Sequence, residues 1–320
     1  MDKVLVVENL HTHFFTENGI VEAVEDVSFH LEKGEMLGLI GESGCGKTTV
    51  IQSILRLLEY PGKVVGGKAI MNGIDLLHAP MDQIEKLRWK TISVIPQSAM
   101  NALNPVITVG DQIVEAILLH EEATKEEAIK RTEYLLEIVG IHKERRKSYP
   151  HEFSGGMKQR VAIAMALACQ PQVVISDEST TGLDVLTQAQ VIAVIKDLQK
   201  KMDLSIILIS HDLPMVTAIC ERVAIMYAGK LVEWATTQQL LNNPQHPYSQ
   251  GLLAATPDIN NLDKVCKSIP GTVPMLINPP KGCRFQTRCH YVMDKCKEQV
   301  PAMRKVQEGH YVSCFLGGSL

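Results

Sequence analysis

No apolar run among the 320 residues approaches the ~20 consecutive positions a membrane helix needs; the longest are short, such as Val161 to Cys169. A secretory leader is missing too, because Asp2 and Glu8 interrupt the opening MDKVLVVENL and no long apolar core follows. There is no basic excess. With 32 Lys and Arg against 36 Asp and Glu, the formal charge of −4 argues against a dedicated nucleic-acid binder. Internal repeats and low-complexity tracts are also lacking. The expectation is a cytoplasmic protein with a core large enough to fold alone, of ordinary globular composition at 45% hydrophobic and 21% charged residues.

Strand-like runs open the chain, Val4 to Leu10 and Val21 to Phe29, with Asn18-Gly19 between them as a hairpin signal. Met36 to Ile40 is a third run, ahead of a glycine-rich turn and a helix expected from Lys47 to about Leu58. Ala69 to Met71 and Trp89 to Ile95 read as further strands. From about Val106 to Met157 the periodicity turns helical, over Val109 to His120 and Thr124 to Val139, which predicts a helical insertion. Alternation then resumes: strand Val173 to Ser176, helix Leu186 to Lys201, strand Ser205 to Ser210, helix Pro214 to Cys220, strand Val223 to Tyr227. Strands alternating with helices imply a mainly parallel sheet covered on both faces. After Ala255 the text becomes rich in proline and cysteine, a linker into a small separate lobe.

Gly41-Glu-Ser-Gly-Cys-Gly-Lys-Thr48 fits the P-loop pattern between an apolar strand and a helix. Backbone N–H groups freed by the glycines can close around phosphate oxygens, and the helix N-terminus adds partial positive charge. The candidate cradle is Gly41, Ser43, Gly44, Cys45, Gly46, Lys47, Thr48 and Thr49, with Lys47 reaching the β- and γ-phosphates and Thr48 ligating Mg²⁺. Cys45, at a helix start, is either a thiol whose ionisation the dipole favours or simply a small residue that fits the turn. Val173 to Glu178 supplies an acidic pair at the end of a buried strand: Asp177 to hold Mg²⁺, directly or through water, and Glu178 to polarise the attacking water. In Phe153-Ser-Gly-Gly-Met157, Ser154 caps a helix whose amides Gly155 and Gly156 leave open, a second anion cradle suited to a nucleotide held by a different subunit.

The order of these motifs resembles that of the nucleotide-binding subunits of ABC transporters. It runs from GESGCGKT through Gln97 in SVIPQ to FSGGM, VVISDE, TGLD ending at Asp184, and ISHD containing His211. The resemblance covers roughly Val4 to Ala255. It implies an α/β ABC-type P-loop ATPase core with an antiparallel β subdomain and a helical subdomain (about 106–160), followed by a Cys-rich C-terminal lobe (256–320). It implies that Gln97 links Mg²⁺ and water to the membrane subunits. His211 contacts the γ-phosphate and orients Glu178. Asp184 crosses the dimer interface with Ser154, Gly155 and Gly156. Phe14, or else Phe15, stacks on adenine. Finer likeness in NALNPVITVGDQI, HDLPMV, HPYSQGLL and GCRFQTRC points to the oligopeptide/dipeptide permease branch, which includes nickel-transport relatives. Ser179 stands where that family usually has proline and Gly182 where alanine or serine is usual, departures expected to loosen the turn between Glu178 and Asp184.

Five of the eight cysteines lie in the last 55 residues, and Cys283, Cys289, Cys296 and Cys314 are spaced C-x5-C-x6-C-x17-C. In a reducing compartment that suggests metal rather than disulfides. Four thiolates suit a 4Fe–4S cluster, with zinc as the alternative, and some members of the resembled branch carry such a cluster in this tail. From Lys281 on, seven basic and three acidic residues give a local +4, through Arg284, Arg288 and Lys295, that suits anionic thiolates. Cys266 reads as a spare thiol.

The whole implies an ATPase subunit driving uptake of peptides or related small substrates, peripheral to the cytoplasmic face of the membrane. Its partners would be a related ATP-binding subunit in a heterodimer, two membrane permease subunits and an extracytoplasmic substrate-binding protein, with no nucleic acid. The rival is a soluble ABC ATPase acting on ribosomes or DNA.

Overall fold

The computed structural model describes residues 2–97, 102–256 and 267–318, so Cys266 and Asn101 lie outside the described residues. The chain divides into two compact units. One comprises residues 5–30, 36–78 and 209–320, the other residues 1–4, 31–35 and 79–208.

The first of these units starts with the expected hairpin, β1 (Lys3–Thr16) and β2 (Gly19–Glu32), each longer than its apolar run. After β3 (Met36–Ile40) and α1 (Lys47–Ile54), β4 (Gly62–Met71) and β5 (Ile74–Asp75) join the hairpin in a four-stranded sheet ordered β2-β1-β4-β5. A register shift in β1 between Glu8 and His11, with Asn9 at φ 46°, moves the buried positions from Leu5 and Val7 to Leu10 and Thr12. A bulge of this kind inverts the two-residue alternation beyond it. Helix α1 is shorter than expected, because Arg56 just beyond it adopts φ 54°.

The other unit holds α2 (Met81–Leu87), β6 (Ile92–Ile95), α3 (Val109–His120), α4 (Lys125–Ile138), α5 (Gly155–Ala166), β7 (Val173–Asp177) and α6 (Val185–Met202). β6 and β7 pair in parallel, Ile92 opposite Val173 and Ile95 opposite Ser176. The helical insertion is where the periodicity places it. Thr108 caps α3, and Thr124 with Glu127 closes a capping box on α4. Ile113, Ile117, Ala128, Leu135 and Leu136 are buried. The chain returns to the first unit along β8 (Ser205–Ser210), buried throughout like β3 and β7, as strands covered on both faces are.

Beyond β8 come α7 (Leu213–Ile219), β9 (Arg222–Tyr227), β10 (Lys230–Thr236), α8 (Thr237–Asn242), α9 (Pro247–Ala255), α10 (Asp294–Glu298), β11 (Arg304–Gln307) and β12 (His310–Val312). β9 runs parallel to β3, and β10, β12 and β11 continue the sheet antiparallel in the order β11-β12-β10-β9-β3. The last 50 residues therefore add strands to the sheet that carries the P-loop. Among the described residues no helix is long and apolar enough to cross a membrane.

Candidate functional site

The loop after β3 is shaped by contacts that side chains would break. A Cβ on Gly41 would fall 2.3 Å from the Met226 carbonyl oxygen, and one on Gly46 would fall 2.3 Å from that of Ala23. Gly46 is also at φ 101° and begins α1 with no side-chain cap, the arrangement in which backbone N–H groups and the helix dipole receive an anion. Lys47 is 5% exposed, its ammonium donating to the carbonyl oxygens of Gly41 (2.8 Å) and Glu42 (3.1 Å). Cys45 is fully buried, and burial raises its thiol pKa despite the nearby Lys47. Of the two readings, the small residue that fits the turn is the one the structure supports, because burial disfavours the thiolate more than the helix start favours it. At pH 7 a maleimide should label Cys45 at least about tenfold more slowly than a denatured control. Mass spectrometry of the labelled peptide checks this, and rapid labelling that Mg-ATP suppresses would restore the activated thiol.

In the other unit, Asp177 ends β7 and is 8% exposed. Glu178 follows at φ 43°, a left-handed conformation that non-glycine residues adopt at a cost and that is found most at functional sites. Gln97 Nε2 donates to Glu178 Oε2 at 2.7 Å, so two of the predicted catalytic residues are in direct contact although 81 positions apart. The two departures from the family pattern do not loosen this turn. The buried hydroxyls of Ser179 and Ser176 are 2.6 Å apart, and Gly182 sits at φ 82°, where glycine is at ease.

Ser154 caps α5 as expected, accepting from Met157 N at 3.4 Å. Asp184 caps α6, accepting from Thr187 N (3.0 Å) and Thr187 Oγ1 (2.6 Å), bonds that hold its carboxyl below the usual range. A Cβ on Gly156 would fall 2.4 Å from Thr187 Cγ2. The Ser154-Gly155-Gly156 cradle and Asp184 are thus neighbours through Thr187, and both present exposed helix starts. Back in the P-loop unit, His211 is exposed directly after β8. Phe14 lies opposite Gly62 across β1 and β4, close enough that a Cβ on Gly62 would fall 2.8 Å from its ring. Phe15, 42% exposed, lies on the other face with Lys63 Nζ 5.8 Å from its ring centre.

Cys283, Cys289, Cys296 and Cys314 do line one small cavity, with Phe285 and Leu316. The polar neighbours expected of a cluster are used elsewhere. Arg284 bonds to Glu22 and Arg288 to Glu42, while Lys295 Nζ lies 4.5 Å from the Phe315 ring centre. Burial pushes the Cys283 thiol up to about 11 and raises those of Cys289 and Cys314. Among the described residues no group of three or more His, Cys, Asp or Glu is arranged to hold a metal ion. The lobe is held instead by its two arginines, by the packed rings of Tyr227, Tyr248 and Phe285 (centres 4.7–5.4 Å apart), and by buried Glu233. Glu233 accepts from Gln245 N and His246 N and lies 2.7 Å from His310 Nε2. Sequence reasoning had no signal for Glu233, whose bond to His310 spans 77 residues, or for what the arginines touch, more than 240 residues away.

Residues 24–181 match the family model described as ABC transporter, and residues 232–296 that described as oligopeptide/dipeptide transporter, C-terminal region. The chain is 46% identical to the dipeptide transport ATP-binding protein DppD of Bacillus subtilis (strain 168), over 99% of this chain and 95% of that one. It is 42% identical to the oligopeptide transport ATP-binding protein OppD of Escherichia coli (strain K12), over 98% and 93%. A dimeric structure of the ATP-binding cassette MJ0796 bound to ADP and Pi superposes with a TM-score of 0.65 at 24% identity, over 73% of this chain and 98% of that one, a likeness of fold. These relatives are described as ATP-binding proteins, and nothing in their descriptions names a cluster. The 4Fe–4S expectation at Cys283, Cys289, Cys296 and Cys314 is therefore corrected, and zinc with it: the four are free cysteines lining a small cavity, Cys296 buried and the other three half-buried.

Proposed function

The chain belongs to the ABC-transporter ATPases, in the branch with the oligopeptide/dipeptide C-terminal region, and from that footing we propose how it works. It is the ATP-hydrolysing subunit that powers uptake of peptides or related small substrates through an ABC importer. Gly41 to Thr49 cradle the phosphates through backbone N–H groups, with Lys47 as the fixed positive charge and Phe14 against the adenine. Thr48, Gln97 and Asp177 are hard oxygen donors of the kind Mg²⁺ takes, and the ion, when bound, would neutralise phosphate charge. Glu178, held by Gln97, accepts the proton of the attacking water, and His211 has the role of contacting the γ-phosphate and orienting Glu178.

Ser154, Gly155, Gly156 and Asp184 serve a nucleotide bound to a related second ATP-binding subunit, which makes the working unit a heterodimer of two such chains. Two membrane permease subunits convert closure and reopening of that pair into alternating access, and an extracytoplasmic binding protein delivers the substrate. The subunit would then sit at the cytoplasmic face of the membrane.

The observation that carries the transport reading is that likeness continues through residues 232–296, beyond the cassette that all ABC ATPases share. Expression with its permease subunits should yield a complex that takes up labelled peptide into vesicles only when ATP is supplied. Recovery on ribosomes or DNA, with no membrane partner, would favour the soluble rival.

A further inference from the structure

The stretch Cys283 to Arg288 sends one buried arginine to the P-loop and another to a turn bonded to it. Arg288, 7% exposed, donates through Nη1 to both carboxylate oxygens of Glu42, each at 3.0 Å. Its other nitrogens are fixed within the lobe, Nε on the Pro270 carbonyl (2.8 Å) and Nη2 on that of Ile269 (3.3 Å). Glu42 is the second residue of the P-loop, and its main chain is held as well. Its N–H donates to Tyr248 Oη at 3.1 Å, and its carbonyl receives the Lys47 ammonium.

Arg284, 5% exposed, reaches the same loop by another route. Nη1 donates to the Ala228 carbonyl at 2.5 Å, and Nη2 bonds to the Glu22 carboxylate. In the turn it grips, Gly229 N donates to the Cys45 carbonyl at 2.9 Å. A Cβ on Gly229 would fall 2.7 Å from Arg284 Nη1, so the guanidinium occupies space that only glycine leaves.

A phosphate cradle works by the direction of its backbone N–H groups, and those directions depend on what holds the loop from behind. We propose that the C-terminal lobe positions the P-loop, Arg288 acting through Glu42 and Arg284 through the 228–229 turn, so that nucleotide affinity depends on the lobe. The inference rests on the reading of Gly41 to Thr48 as the ATP site. Arg288 and Arg284 are positioning residues, since neither is placed on the nucleotide. The planar guanidinium matters here, because a lysine keeps the charge but cannot serve Glu42, Pro270 and Ile269 at once.

The test is Mg-ATP kinetics of the assembled importer carrying Arg288→Ala, Arg288→Lys, Glu42→Gln or the pair Arg288→Ala with Glu42→Gln, with melting temperature measured alongside. Arg288→Ala and Glu42→Gln should each raise KM for ATP about tenfold, within the usual range of coupling between sites, and change kcat much less. The double variant should be no worse than the worse single one, as for two ends of one contact. Arg288→Lys should fail to rescue. Glu42→Gln leaves the lobe's own bonds to Pro270 and Ile269 intact, so it keeps the test decisive if Arg288→Ala does not fold. Unchanged KM with a lowered melting temperature, or additive effects in the double variant, would overturn the proposal. Lys47→Ala separates the two readings. Loss of nucleotide binding there with a silent Glu42→Gln sinks only the positioning role, whereas normal binding by Lys47→Ala sinks the ATP site and the inference with it.

Discussion

Replacing Glu178 by Gln should leave ATP binding intact and slow hydrolysis by about 10²- to 10⁴-fold, the range a positioned general base contributes. The amide has the same shape as the carboxylate and can still accept from Gln97 Nε2 through its own oxygen, so the contact seen at 2.7 Å survives the change. What it cannot do is take a proton from water. The residue is also held in a left-handed backbone conformation next to buried Asp177, an arrangement that a purely structural surface glutamate would have no reason to keep. The measurement is steady-state phosphate release by a complex whose other nucleotide site is disabled, beside direct titration of nucleotide binding. Near-normal turnover would remove Glu178 from the role of base.

A second large effect is expected far from the phosphate cradle, on stability. Glu233 is fully buried in β10, yet its carboxylate takes Gln245 N at 2.7 Å, His246 N at 2.8 Å and His310 Nε2 at 2.7 Å. It therefore ties the connection between α8 and α9 to the final hairpin strand β12. His246 is itself neutral: burial lowers its pKa to about 4, and its Nδ1 accepts from Tyr248 N. Glu233→Ala leaves two backbone N–H groups and an imidazole in a dry interior with nothing to receive them. A buried polar group left without its partner costs about 1–3 kcal/mol, so the three together should cost about 3 kcal/mol or more. Chemical denaturation of the purified chain should show that loss, with Glu233→Gln intermediate because one oxygen remains. A change below about 1 kcal/mol would mean that the neighbouring segments are held by packing alone.

Much of the fold was legible because the periodic segments obey local rules. The helices predicted at Val109 to His120 and from Thr124 begin where threonine caps them, and the predicted runs Met36 to Ile40 and Ser205 to Ser210 are strands to the residue. Illegible parts have local causes as well. The bulge at Asn9 reverses the alternation of β1, so the pattern ceases to read as one strand after Leu10. β4 carries Gly62, Gly66 and Gly67 with Lys63 and Lys68, too little apolar content to announce a strand of ten residues. Trp89 at φ 67° breaks the predicted Trp89 to Ile95 strand, which starts only at Ile92. At the site, motif order located Gln97 and Glu178 but not their bond. The cysteine spacing drew attention to thiols, while the arginines between them, aimed at Glu22 and Glu42, carry the contacts. No pattern within a window of sequence can show that Arg288 meets a residue 246 positions earlier.

The pair Ser176 and Ser179 has a consequence for how this chain can diverge from its relatives. Both hydroxyls are buried and each is the other's partner, so losing one strands the other, whereas losing both together is nearly neutral. Proline at 179 alone would orphan the Ser176 hydroxyl at the end of β7, one residue before Asp177. The two positions are therefore energetically coupled. Whichever of the two changes first, the hydroxyl left behind loses its partner, so each single variant is expected to be less stable than the double one.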